Sequence, residues 1–330
     1  MPNFCRHNRF VERCPICARE RAQTQATSAP GGTRSGTAAK PSTRRSARRS
    51  GSQSSDALRV RREQRSLQDG YSCELLPGLG SSQDAARLAE EIAFATGRLK
   101  LLACAPPGLY GQLRELAGGD LERATWECFL AVYLSPLQGD EPFESIVSAL
   151  KGSGAPGELP DLAGLELGPR SSHDPARGAA TLLAYGQWAG TSQAEALRGD
   201  PSWTPERRFE RIFERLALPG FGRMGRYELL VTLGRLGLYE LRAEDLRLGA
   251  GRGGAGDDLT LAGAKRVFAI GDPLLLERRA GALAQALEVP VEALDVGLAN
   301  WQAEQRATLG VPEQTVDEGV RERAGAVLGL

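Results

Sequence analysis

Apolar residues recur with a helical period through most of the chain and rarely alternate as a half-buried strand would require. Residues 84–96 place Leu88 and Ile92 on one face, and Gly97 then reads as a stop. Residues 120–134, opening at Asp120, are apolar on nearly every side through Trp126, Phe129, Leu130, Val132 and Tyr133, the pattern of a central buried helix. Ser192 and Glu195 have capping-box spacing before a short helix. Thr204 and Pro205 suit the N-cap and first position of the next one, where Phe209, Ile212, Phe213 and Leu216 form an i, i+3, i+4, i+7 stripe. Further helices are expected near 223–236, 261–270, 273–287 and 291–302. The pattern predicts an all-α body over residues 67–330, without an internal repeat.

Composition separates two more regions from that body. Residues 1–20 are a Cys/His module, with four Arg against two Glu, net +2. Residues 21–66 carry Ser, Thr, Gly, Ala and eleven basic side chains, net +9, with too few large apolar residues to fold, so a disordered Arg/Ser-rich linker is expected. The body is net −11, a contrast that suits a polyanionic partner contacted by the basic arm. Hydrophobic residues at 41% exclude a wholly disordered chain. The first 20 residues lack the apolar centre of a secretory signal, and the longest apolar run, Cys128 to Leu134, is far short of a membrane span. A cytoplasmic protein is expected, free of the membrane and compatible with the nucleoid.

Candidate chemistry sits at three places. Cys5-x-His7 followed by Cys14-x-x-Cys17 supplies four soft or borderline ligands, as tetrahedral Zn²⁺ requires. So short a segment would draw its folding energy from the metal, so a structural zinc knuckle is expected, able also to recruit a protein partner. Cys73, Cys104 and Cys128 have no such spacing, and His173 reads as part of a capped, exposed loop. The Gly249–Gly254 run matches a dinucleotide fingerprint in letters only, because no strand enters it.

The second place is Leu218-Pro-Gly220-Phe-Gly222, with helices expected on both sides. Such a hairpin presents the free N–H groups of the second helix to a phosphate, with Arg223 and Arg226 in the first turn to add charge. An ordinary helix–helix turn would have the same letters, and Leu76-Pro-Gly-Leu-Gly80 repeats the spacing without a helix before it. The third place is Asp272-Pro273, N-cap and first residue of the 273–287 helix, near basic Lys265, Arg266, Arg278 and Arg279.

Taken together, the Leu218–Gly222 hairpin and the Phe268-Ala-Ile-Gly-Asp272 segment resemble the helix-hairpin-helix DNA glycosylase superfamily. Three stretches, 121–136, 218–237 and 264–279, resemble one branch of it, the alpha-glutamyl/putrescinyl thymine pyrophosphorylase-like proteins. The likeness covers roughly 100–330. It implies a helical glycosylase-like body that binds DNA through Gly220, Gly222, Arg223, Arg226, Lys265 and Arg266. It also implies action on a flipped-out base, with Asp272 as the catalytic carboxylate. The branch is associated with hypermodified thymine, in which an amine replaces an activated pyrophosphate on a 5-hydroxymethylated base. Fifty positions separate Gly222 from Asp272, more than typical glycosylases have. The hairpin helix holds no lysine for Schiff-base chemistry, so any glycosylase activity would be monofunctional. A repair glycosylase, a non-catalytic DNA-binding adaptor with a zinc knuckle, and a protein-interaction scaffold are the alternatives.

Overall fold

The helical period of the sequence is realised throughout the body. The computed structural model of the protein describes residues 67–151, 160–250 and 258–330, and every regular element among them is a helix. Cys5, His7, Cys14 and Cys17 and the basic 21–66 segment lie outside the described residues.

The longest element, α1 (Ser82–Cys104), runs straight through Gly97 instead of ending there. The glycine serves packing rather than termination. A Cβ on it would stand 2.9 Å from Thr315 O, where the chain crosses α1 and the Asp317 N–H donates to Ala93 O at 3.1 Å. Next come α2 (Leu109–Ala117) and α3 (Leu121–Leu134), the helix expected to be buried all round. Asp120 accepts the Arg123 N–H at 2.9 Å, and Trp126, Phe129, Leu130 and Tyr133 are fully buried. After α4 (Glu144–Leu150) follow α5 (Gly178–Ala189) and α6 (Gln193–Arg198). Ser192 caps α6 through the Glu195 N–H, as its spacing predicts.

The second half holds α7 (Pro205–Arg215), α8 (Arg223–Arg235), α9 (Leu259–Phe268), α10 (Pro273–Ala286), α11 (Val291–Gln302) and α12 (Glu318–Leu328). Each of α7 to α11 lies where the period places it. By contrast α2, α4, α5 and α12 are not evident beforehand. In α5 the apolar residues of Gly-Ala-Ala-Thr-Leu-Leu-Ala-Tyr form no single stripe, and α4 has only seven residues.

Packing is organised around α1 and α11, which lie against each other. α12 covers another part of α1, α9 lies on α11, and α3 packs on α2 and α8. Leu88, Ile92, Leu294 and Leu298 are fully buried, each contributing about 1.5–3 kcal/mol of transfer free energy. A ring cluster joins the layers: Phe129 stacks on Tyr185 at 3.7 Å between centroids, and Phe221 meets Phe129 edge-on at 5.4 Å. Among the described residues no helix is long and apolar enough to cross a membrane.

Candidate functional site

The two Leu-Pro-Gly-x-Gly copies have different fates, decided by what surrounds them. At Leu76–Gly80 the chain docks onto the end of α9, where the Gly78 N–H donates to Val267 O at 2.8 Å. A Cβ on Gly78 would overlap Arg266 O, so glycine there permits a backbone–backbone contact and nothing more. The second copy is a true helical hairpin. Phe209, Ile212, Phe213 and Leu216 bury the stripe of α7 and bring the chain to Leu218–Gly222. Gly220 turns it with φ +74°, Phe221 anchors it in the ring cluster, and Thr181 Oγ1 on α5 donates to Pro219 O at 2.6 Å.

Gly222 is the N-cap of α8 and offers no side-chain acceptor, so the first-turn N–H groups remain uncapped. They lie at an open cleft of about 960 Å³ lined by the hairpin from Gly220 to Arg226, by Ser171 and Ser172 ahead of α5, by Phe213, Glu214 and Arg247, and by Asp258 at the start of α9. That volume lies in the range of ligand sites, on the order of 300–1,000 Å³. A second hollow beside Tyr239 holds about 400 Å³.

The arginines of the first turn do not act alike. Arg223, expected to add charge for a phosphate, is engaged by carboxylates of the body itself. Its side chain is 1% exposed and its Nη2 donates to Asp258 Oδ1 at 3.0 Å and to Asp295 Oδ1 at 2.9 Å. Nη1 donates to Leu246 O at 2.9 Å, and Nε meets Asp258 Oδ2. Arg170 closes the cluster from the far side, its Nη2 donating to Asp295 Oδ2 at 2.7 Å. Burial alone would raise the Asp295 carboxyl, but Arg223 and Arg170 together hold it below its ordinary value. Arg223 is therefore a brace that ties α8 to α9 and α11. Arg226 is 8% exposed and lines the cleft, its Nη1 donating to Phe213 O at 3.1 Å.

Arg247 reaches the same ring of Phe213 from a left-handed backbone, φ +56°. Glu277 on α10 holds that conformation by accepting the N–H groups of Leu246 and Leu248. Such a costly geometry beside a cleft is common at binding sites.

The remaining candidates are not brought into the cleft. Lys265 is exposed in the last turn of α9, about 10 Å along the helix from Asp258 by the helical rise. Arg266 lies over the Trp301 ring at 4.8 Å. Asp272 is exposed and caps α10, accepting the Leu275 N–H at 3.0 Å. It is not among the residues lining the cleft, yet Pro273 beside it packs on Gly249 of the cleft rim. The expectation for His173 also changes: it is half-buried, with Nδ1 3.0 Å from Tyr133 Oη, and burial lowers its pKa. Among the described residues no group of three or more His, Cys, Asp and Glu is placed to hold a metal ion.

Sequence reasoning missed Asp258, Asp295 and Arg170. A signal existed for Asp295, a lone aspartate in the otherwise apolar middle of Val291–Trp301, because a carboxylate placed there must find a buried partner. Arg170 lies in an irregular loop and gave none.

Residues 173–308 match the family described as Alpha-glutamyl/putrescinyl thymine pyrophosphorylase clade 3. The match bears out the resemblance to that branch and spans less than half of the 330 residues. It contains the hairpin, the cleft-lining residues from Phe213 to Leu261, Asp272 and Asp295, whereas the 121–136 stretch falls outside it. No curated protein and no solved structure matches the chain.

Proposed function

We propose that the protein is a DNA base-modifying enzyme related to the thymine pyrophosphorylases, with its substrate entering the cleft beside the Leu218–Gly222 hairpin. One observation carries the reading: within the family-matched stretch, an uncapped helix N-terminus opens onto a ligand-sized cleft. Free N–H groups and the positive end of the helix dipole suit a phosphate, and a base must leave the stack to enter a cleft of this kind, at a cost of a few kcal/mol. In this reading the hairpin glycines let a nucleic-acid backbone approach closely. Lys265 and Arg266 belong to a flanking surface, and Arg223 positions α8 without touching DNA.

Asp272 stands as the proposed catalytic carboxylate because α10 begins at the rim. It would stabilise positive charge or position an attacking amine. Glu214 and Asp258, which line the cleft, are already paired with arginines. That pairing favours a second reading, a DNA-binding adaptor without turnover.

Mass spectrometry of nucleosides separates the two. Full-length protein incubated with DNA carrying defined modified thymines and an amine donor should yield a nucleoside of new mass. Asp272→Asn still caps α10, so it should keep its stability and lose on the order of 10²-fold or more in rate. Normal turnover by Asp272→Asn would leave the residue as a cap only, and absence of any product with every substrate would leave the adaptor.

A further inference from the structure

The end of α3, the 168–172 loop and α8 meet at a small cavity of about 10 Å³. Among the residues lining it are Val132, Ser135, Arg170, Gly225 and Glu228. Backbone bonds fix the loop against the helix end: the Gly168 N–H donates to Leu134 O at 3.1 Å, and the Ser172 N–H to Tyr133 O at 2.9 Å. A Cβ on Gly168 would overlap the carbonyls of Ser135 and Pro136, so the two segments touch through backbone alone.

Two polar atoms of the lining residues are left over. Ser135 Oγ and Arg170 Nη1 are both buried and meet no hydrogen-bond partner among the described residues. Arg170 is 8% exposed and Ser135 3%. Neither atom is open to solvent, so each costs stability unless something in the cavity bonds it. The charge of Arg170 is already matched, because its Nη2 donates to Asp295 Oδ2 at 2.7 Å. Nη1 therefore needs an acceptor rather than a counter-ion.

Ser135 points to the same place on independent grounds. It follows α3 with φ 61° and ψ 135°, a backbone open to glycine and costly for other residues. A serine there adds only a Cβ and a hydroxyl, and the hydroxyl is the atom without a protein partner.

Size and polarity select the occupant. The volume is room for about one water, and a buried water ordinarily has roughly two to four polar partners. Arg170 Nη1 donates, the Glu228 carboxylate accepts, and Ser135 Oγ does either. Glu228 is itself matched in charge by Arg98, and its Oε1 also accepts from Thr232 Oγ1 at 3.1 Å. An anion would meet that carboxylate and a cation the Arg170 guanidinium, so a neutral molecule that both donates and accepts fits where neither ion does.

We propose that the cavity binds one ordered water, which accepts from Arg170 Nη1 and joins Ser135 Oγ to the Glu228 carboxylate. The water draws α8 into one network. Glu228 and Gly225 stand on that helix, and Arg170 leads through Asp295 to Arg223 in its first turn. It also ties the loop that carries Ser171 and Ser172 to the cleft onto the end of α3. No substrate or nucleic acid takes part in this site, so it stands whatever the reaction.

Oxygen-17 relaxation dispersion of the solvent, recorded on the full-length protein, counts waters held for longer than the protein takes to tumble. Val132→Ile puts one more carbon at the cavity, and the dispersion amplitude should fall by about one water relative to wild type. Equal amplitudes in the two proteins would overturn the proposal. Ser135→Ala keeps the backbone and removes only the hydroxyl oxygen. Loss of a water-bonded hydroxyl should lower the Tm by about 2–4 °C. A hydroxyl buried with no partner behaves oppositely, so an unchanged or higher Tm overturns the proposal as well. Should Val132→Ile fail to fold, the sign of the Ser135→Ala shift decides alone.

Discussion

Asp295 is the residue on which the position of the hairpin helix turns. Its carboxylate is 1% exposed and accepts from Arg223, Arg170 and Thr260. Removing its charge leaves the buried Arg170 without a carboxylate and Arg223 with Asp258 alone, so Asp295→Asn should cost about 3–5 kcal/mol in urea unfolding. The pH dependence has a definite sign. The folded-state pKa is depressed, so the stabilisation is fully present above the unfolded value and disappears as pH falls through the folded one. Wild-type stability should therefore fall in acid, below the ordinary carboxylate range, and Asp295→Asn should lose part of that slope. Little of this was legible beforehand. The sequence displays Arg223 in the first turn of a helix, an address that suits a phosphate equally well. Only the approach of α9 and α11, distant in sequence, decides that its charge is spent internally.

Elements were far more legible than side-chain partners, because caps and periodicity act over a few residues. Asp120, Ser192, Thr204 and Asp272 each cap the helix that their spacing predicts. Gly97 misled because a glycine permits either an ending or a close crossing, and the crossing chain lies more than 200 positions away. The hairpin is a test of local design. A Cβ on Gly220 would stand 2.5 Å from Thr181 Oγ1, at a φ that L-residues avoid at a cost of about 1–2 kcal/mol. Gly220→Ala should thus destabilise by more than that backbone cost alone. Thr181→Ala on its own loses the Pro219 bond, about 1–2 kcal/mol, but should relieve the collision when combined with Gly220→Ala. A double-mutant cycle in urea should give a coupling of favourable sign. Strict additivity would mean that α5 does not hold the hairpin.

For the whole molecule, the proposals divide labour between the helical body and the residues that precede it. Deleting residues 1–66 removes a net +11, so DNA affinity should fall uniformly across sequences and the salt slope should flatten. Metal analysis should find one zinc per chain in the wild type and none in Cys14→Ser, with the helical circular dichroism retained because the body has its own core. An unchanged slope, or equal zinc in both proteins, would count against the respective assignment. The cluster of Arg170, Asp295, Arg223 and Asp258 has a further consequence at the bench. Two cations and two anions, almost wholly enclosed, offer dissolved ions little to screen, whereas contacts to a polyanion at the surface weaken steeply with ionic strength. Washing with about 1 M NaCl, where the Debye length is about 3 Å, should strip co-purifying nucleic acid while leaving the melting temperature nearly unchanged. The hairpin would come through that wash still held at its cleft, with the brace that positions it intact.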